Sequence, residues 1–243
     1  MLLVAAGGAG WGGGDGSANR FQSRARGTVS AAAAETSALD PKAYTTRITN
    51  SHFPLSLVPV TVFKGSERNR KTGKIVTTRD KNRVLRRHRR IAGVKVTIVN
   101  VTEYENGKLT EHTLDYYAQR RDGSVWYFGE RVDEYANGKI VGHGGEWQAG
   151  KHGAKPGLFM PASPKVGQEF EQERAPGVAE DRSKVVASGL KVTVPAGTFG
   201  NCIKTKDFAP LDKATEFKFY CAGVGLAREG KSRLASYRRA RGR

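Results

Sequence analysis

V-T-E-Y-E-N-G-K-L-T-E-H occupies residues 101–112, and V-D-E-Y-A-N-G-K-I-V-G-H occupies residues 132–143. Seven of the twelve positions are identical, and an eighth exchanges Leu109 for Ile140. At the centre of each copy stands Asn-Gly, the pair that best tolerates the two positive φ angles of a type I′ turn. Asp122-Gly123 lies between the copies. The flanking segments are rich in Val, Ile, Tyr, Trp and Thr, which suit strands. Three such turns separating four such segments predict an antiparallel meander over residues 91–149.

Two-residue turns fix a register. Tyr104 should face Leu109, and Tyr135 should face Ile140. Carried along the strands, that register gathers Val96, Ile98, Tyr117, Trp126, Phe128 and Trp147 on one face. It places Val99, Val101, Leu114, Tyr116, Val125 and Tyr127 on the other. Both faces are then apolar, so the sheet should be covered on both sides or curled around a core. Asp115 and Glu130 are expected at the rim of the aromatic face. The two repeat histidines, His112 and His143, fall on opposite faces in this register. They sit two strands apart, about 10 Å at ~4.8 Å per strand. A shared zinc needs both nitrogens within about 2.1 Å of one ion, so the repeat reads as one hairpin recipe used twice, and no metal site is assigned.

The rest of the chain reads more simply. Residues 1–43 are Gly/Ala/Ser-rich and lack the apolar side chains to bury a core, so they are expected to be disordered. Their apolar start, MLLVAAGGAG, reads as a possible remnant of a signal peptide, without the basic region that normally precedes one. Val58–Phe63 and Lys74–Arg79 read as strands, and residues 80–90 as a helical turn or a strand edge. Residues 150–180 read as loop, because Pro156, Pro161 and Pro164 break ladder pairing. Val185–Val194, Cys202–Phe208 and Glu216–Cys221 read as further strands. The turn at Pro210–Asp212 sets Cys202 opposite Cys221. Facing residues stand roughly 4.5–5.5 Å apart, within reach of a cross-strand disulfide. Such a bond implies an oxidising compartment.

The chain carries a net charge of +18, and the excess is concentrated. Residues 64–95 hold 13 Lys/Arg against Glu67 and Asp80, and residues 228–243 hold 7 against Glu229. The remainder is near neutral. This patterning points to an anionic partner, whether nucleic acid, anionic lipid or cell-wall polymer. Arg83, Arg86, Arg87, Arg89, Arg90, Arg238 and Arg239 are the candidate contacts. Aromatic residues are sparse beside them in sequence, and no specific nucleic-acid motif is present. No apolar run approaches the roughly 20 residues that cross a bilayer. There is no G-x-S-x-G, P-loop or G-x-G-x-x-G with its structural context. No catalytic residue and no cofactor are therefore assigned.

The run from Gly123 to Phe170, the segment V-T-V-P-A-G-T-F-G-N-C-I-K-T at 192–205 and F-Y-C-A-G-V-G-L-A-R-E at 219–229 resemble a group of uncharacterised exported bacterial β proteins and lipoproteins. The resemblance spans about residues 48–229. It implies a secreted or envelope-associated, mostly antiparallel β protein, and carries no reaction with it. The apolar start is followed by no lipidation cysteine, and the basic segments depart from the group.

Together these readings predict one mainly β domain at 44–230, a meander curled into a half-barrel, with a basic tail at 231–243. The leading expectation for function is a non-catalytic extracytoplasmic binding or structural protein that holds a small apolar ligand. Tyr117, Trp126, Phe128, Trp147 and Phe159 are the candidate lining. The alternative is a binder of anionic polymers through residues 64–95 and 228–243.

Overall fold

Asn106 and Gly107 take φ angles of 49° and 79°, and Asn137 and Gly138 take 53° and 76°, the left-handed pairs that type I′ turns require. Around them the computed structural model, which describes residues 39–68 and 73–241, builds one antiparallel sheet of 15 strands. The first are β1 (Tyr44–Thr45), β2 (Val60–Arg68), β3 (Ile75–Ile91), β4 (Val94–Glu105) and β5 (Lys108–Arg120). Then come β6 (Val125–Ala136), β7 (Lys139–Gly142), β8 (Trp147–Gln148), β9 (Gly157–Met160) and β10 (Glu169–Glu171). The last are β11 (Arg182–Val194), β12 (Gly197–Ala209), β13 (Ala214–Cys221), β14 (Gly225–Glu229) and β15 (Ser232–Arg238). The mainly antiparallel β fold is as the turn spacing predicts. The chain from Asp40 onward groups as one compact unit; residues 1–38 lie outside the described residues.

The sheet runs β10-β11-β12-β13-β14-β15-β2-β3-β4-β5-β6-β7, and β1, β8 and β9 attach to its β5 and β6 strands. It is not closed into a barrel, yet its far ends approach each other. β9 pairs with β6, and β10 pairs with β11. Between them stands an isolated bridge from Lys155 to Arg174, where Lys155 N donates to Arg174 O at 3.0 Å. Gly157 lies so close to Gln172 that a Cβ would overlap its carbonyl. A sheet whose β6 and β11 regions meet this way must curl.

Several segments depart from the sequence reading. Residues 80–90 are not helical but belong to the 17-residue β3; its pairing with β2 ends at Arg83, and beyond that it runs as an edge paired only with β4. A tight turn at Ala92-Gly93, with φ of 46° and 81°, joins β3 to β4 and extends the meander backwards. Alanine gives no left-handed signal, which is why the turn is illegible. The 150–180 stretch contains β9 and β10. The returning strand after Asn137-Gly138 stops at Gly142 rather than at Ala149. Much of the segment expected as a basic tail is β15, paired with β2.

The faces also change, because the register slips at the two Asn-Gly hairpins and again at Asp122-Gly123, which is the end of a three-residue loop between Arg120 and Ser124 and not the two-residue turn expected. Tyr104 faces Leu109 and Tyr135 faces Ile140, as the turns demand, but the next partners are Glu103 with Glu111 and Glu134 with Gly142. One residue is bulged just past each turn, so both repeats carry the same irregularity. A one-residue slip turns every later side chain over. Leu114 and Tyr116 therefore share the outer face with Ile98, Trp126 and Phe128. Tyr117 turns inward with Val99, Val101, Val125, Tyr127 and Trp147. A second bulge lies at Gly129, whose φ is 113°. Any Cβ there would overlap the Trp147 carbonyl, so only glycine fits. The extra residue lets Tyr127 and Glu130 both point inward.

The outer aromatic face is covered by the segment preceding β2. The Tyr44 ring meets Phe128 edge-on at 5.5 Å and Trp126 at 6.5 Å. Thr97 and Gln119 point inward by register and hold the next residues from that side: Thr97 Oγ1 donates to Thr46 O at 2.8 Å, and Gln119 Oε1 accepts from the backbone N–H groups of Thr49 and Asn50. The segment then crosses to the inner side, where Phe53 packs on Phe159 and Tyr117.

Cys202 and Cys221 are register partners and form a disulfide with Cα atoms 3.9 Å apart. Their sequence separation is 19, and a loop of that size is worth about 3 kcal/mol in the chain-entropy account. Cys202→Ser with Cys221→Ser is expected to lower stability by about that amount, measured by urea unfolding. An unchanged midpoint would refute the estimate.

Candidate functional site

Among the described residues three clusters of chemistry stand out: an outer basic row, a carboxyl-rich interior and a small cavity. The row is built by register. Lys204 on β12 faces Phe219 on β13, which faces Arg228 on β14. Arg228 faces Arg233 on β15, Arg233 faces Lys64 on β2, and Lys64 faces Arg79 on β3. Arg79 faces Tyr104 on β4. Directly opposed residues share a face, so four cations on adjacent strands form a line about 14 Å long at ~4.8 Å per strand. An aromatic ring stands at each end of it. Lys204 Nζ lies 3.9 Å from the Phe217 ring centre, and the Arg228 guanidinium lies 5.4 Å from that of Phe219. The Arg79 guanidinium lies 5.8 Å from that of Tyr104. Among the described residues, Arg228, Arg233, Lys64 and Arg79 form no ion pair with a carboxylate. Like charges directly opposed across a sheet are destabilising, so the fold carries this row at a cost.

Of the arginines singled out in the sequence, Arg83 faces Val60, which faces Arg238. The two basic segments are thereby brought onto one surface. Arg86, Arg87, Arg89 and Arg90 lie exposed further along β3. Arg89 is engaged locally, donating to Tyr116 Oη at 3.3 Å and Gln148 Oε1 at 3.1 Å. Arg90 donates to Gly93 O. The Arg239 guanidinium stands over the Tyr237 ring. The sequence reading includes Lys64, Arg79, Arg228 and Arg233 in the basic segments 64–95 and 228–243 but names none of them as contacts, because their alignment exists only across strands.

On the inner side the pattern reverses. Asp80, Glu103, Glu111 and Glu134 are successive register partners on β3, β4, β5 and β6. Burial raises the Asp80 carboxyl to about 6, despite the Ser232 hydroxyl donating to it. Burial beside Glu111 and Asp80 raises Glu103 to about 9. Further in, Asp115 and Glu130 face each other across β5 and β6, each only 2% exposed. They are interior groups, not the rim residues expected. Tyr127 Oη donates to Asp115 Oδ1 at 2.9 Å. Both Glu130 oxygens are buried without a hydrogen-bond partner, and burial raises its pKa well above the ordinary value. Glu173 is raised to about 7, again by burial. The Trp147 N–H lowers Glu173 somewhat but stands outside hydrogen-bond geometry. Lys218 is the cation of this interior, 3.0 Å from Glu229 Oε1 and 3.3 Å from Asp207 Oδ2.

The repeat histidines end up together. His112 faces Asp133 across the β5–β6 ladder, with Nδ1 3.8 Å from Oδ2, and His143 Nδ1 lies 3.3 Å from Oδ1. The expectation of opposite faces fails, because the repeated bulge moves both onto the outer face. His143 Nδ1 also donates to Val132 O at 2.6 Å, and Glu146 Oε2 accepts from Val132 N. The pair thus finishes the β6 edge where β7 stops. Among the described residues no group of three or more His, Cys, Asp or Glu is arranged to hold a metal ion.

The cavity has a volume of about 60 Å³ and is walled by Phe53, Phe63, Tyr117, Phe159 and Tyr220, with Asp115 and Asn82 as polar members. Asn82 Oδ1 is buried and unpartnered. The space holds about four waters, far below the roughly 300 Å³ at which organic-ligand sites begin. Of the five proposed lining residues, Tyr117 and Phe159 reach it. Trp147 packs edge-on against Tyr127 at 5.5 Å. Trp126 and Phe128 lie on the other face of the sheet, under Tyr44, so the lining proposal is corrected for these two.

Comparison with protein-family models, curated proteins and solved structures found no match. The disulfide is compatible with an oxidising compartment, and among the described residues no helix is long and apolar enough to cross a membrane.

Proposed function

We propose that this chain is a non-catalytic, extracytoplasmic binding protein that engages a polyanion through the outer face of β14, β15, β2 and β3. The observation carrying this reading is the transverse row Arg228–Arg233–Lys64–Arg79. Like charges aligned at a cost are compensated when a partner supplies closely spaced anionic groups. Oligo-thymidylate serves as a generic polyanion for the test, by filter binding across a salt series. Release of counterions by four cations gives a slope of about −3 in log affinity against log salt. Replacing all four with glutamine is expected to abolish most of that slope. Absence of binding at low salt to any polyanion would remove the reading.

The cavity supports a second, narrower reading. Its aromatic walls and the unpartnered Asn82 acceptor suit a ligand of a few heavy atoms that donates a hydrogen bond, rather than the larger apolar ligand expected from sequence.

A further inference from the structure

We propose that the polyanion is the phosphate surface of an anionic bilayer, and that the β12–β13 hairpin inserts its apolar tip between the headgroups. This inference rests on the polyanion reading and adds a partner and a docking mode. On the hairpin's outer face Lys204 opposes Phe219, Lys206 opposes Phe217, and Phe208 opposes Thr215. Phe208 is 41% exposed, Phe217 42% and Leu211, in the connecting turn, 50%. Other apolar side chains such as Val141, Val166 and Ile75 are as exposed, but these three lie together on one hairpin at one end of the basic row.

The order along the hairpin matches the layers of a membrane interface. Leu211 stands at the tip and Phe208 follows; Phe217 is level with Lys206, at the boundary between the apolar end and the cations, and Lys204 comes next, with Arg228 and Arg233 alongside on the adjacent strands. Phe208 lies about 7 Å beyond Lys206 along the strand at ~3.3 Å per residue. Interfacial segments bury apolar groups to a depth of roughly 5–10 Å while cations stay at phosphate level. Asp212 is the acidic residue of the turn and has Lys213 beside it. Glu169 and Glu171, on β10 beyond β11, are paired with Lys184 and Arg182, and Glu180 shares a surface depression with Phe208 and Lys206.

The rings argue for lipid over single-stranded nucleic acid. Stacking of bases needs open ring faces, but Lys204 covers Phe217 and Arg228 covers Phe219. Leu211 has no stacking role at all. The hairpin is also held rigidly for insertion. The disulfide ties its base, and on its inner side Lys218 and Ser183 both engage Asp207.

The test is cosedimentation of the full chain with phosphatidylglycerol-containing vesicles and with vesicles of phosphatidylcholine alone. Oligo-thymidylate binding is measured in parallel. Binding to the anionic vesicles alone is expected. The variant Phe208→Ser/Leu211→Ser/Phe217→Ser should lose at least about tenfold in vesicle partition and keep oligo-thymidylate binding. Replacing Arg228, Arg233, Lys64 and Arg79 with glutamine should lower both by roughly 100-fold or more, at about fivefold per cation. Unchanged vesicle binding by the apolar-tip variant overturns insertion and leaves the polyanion reading standing. Binding to oligo-thymidylate but not to vesicles overturns the bilayer as partner. Binding to neither overturns both proposals. Near-UV circular dichroism of each variant excludes unfolding as the cause.

Discussion

Lys218→Met is expected to lower the melting temperature by roughly 10–15 °C, from a loss of about 3–5 kcal/mol. The side chain is 7% exposed, and its partners Asp207 and Glu229 are 3% and 11% exposed. Removing the ammonium leaves both carboxylates in a poorly solvated interior, with Glu216 close by. Glu216 is already raised to about 8 by burial and by Glu229. The attraction gained by such a pair is largely offset by desolvation, so the intact cluster contributes little net stability, yet breaking it is costly. Adding Asp207→Asn and Glu229→Gln to the methionine variant should therefore recover part of the loss. Thermal melts of the single and triple variants provide the comparison. A single variant within about 1 kcal/mol of the parent would mean that solvent reaches Lys218 freely.

Stability should fall as pH rises from 5 to 9, where many proteins are near their maximum. Asp80, Glu173, Glu216 and Glu103 have folded-state values of about 6, 7, 8 and 9. All lie above the ordinary range of an unfolded chain, near 4. A carboxyl whose folded value is raised binds more protons when folded. Its contribution is fully retained below the unfolded value and is lost as pH climbs towards the folded one. The four groups act in overlapping windows, so the loss is spread over the whole range. Lys218, whose value is raised, contributes no change until pH exceeds the ordinary lysine value. Partly solvated groups such as Asp80 and Glu216 contribute less than their full shift, so the expected loss is at least a few kcal/mol, or about 10 °C or more in melting temperature. Glu103→Gln should flatten the upper part of the curve. A melting temperature constant or rising between pH 5 and 9 would show these carboxyls to be ionised in the folded chain.

The strands of this protein are legible where local chemistry specifies them. Asn106-Gly107 and Asn137-Gly138 need no tertiary information, and the hairpin placing Cys202 opposite Cys221 follows from the turn at Pro210. What failed were features with no local signature. A bulge past each Asn-Gly turn depends on packing between strands, and with the three-residue loop at Asp122-Gly123 it reversed Tyr116 and Tyr117. The Ala92-Gly93 turn uses a residue that rarely adopts a left-handed conformation. β3 carries apolar residues only at Ile75, Val76, Val84, Leu85 and Ile91 and shows no simple hydrophobic period, because its exposed face is basic. The site was half legible. An anionic partner is suggested by charge counts, but Arg228, Arg233, Lys64 and Arg79 come from four strands and are ordered only by hydrogen-bond register. Asp115 and Glu130 were taken for rim residues, because alternation alone does not distinguish the inside of a curled sheet from its margin.

The join between β9 and β10 has one further consequence. Everywhere else on the circumference, neighbouring strands are held by ladders. Here one backbone bridge, Lys155 to Arg174, and one side-chain bond, from Gln172 Nε2 to Phe159 O, span the gap. The girth of the molecule can therefore widen at that place without unzipping any ladder. Phe159 is one wall of the cavity and is tied across the gap by Gln172, so opening the seam would break that bond and shift a cavity wall.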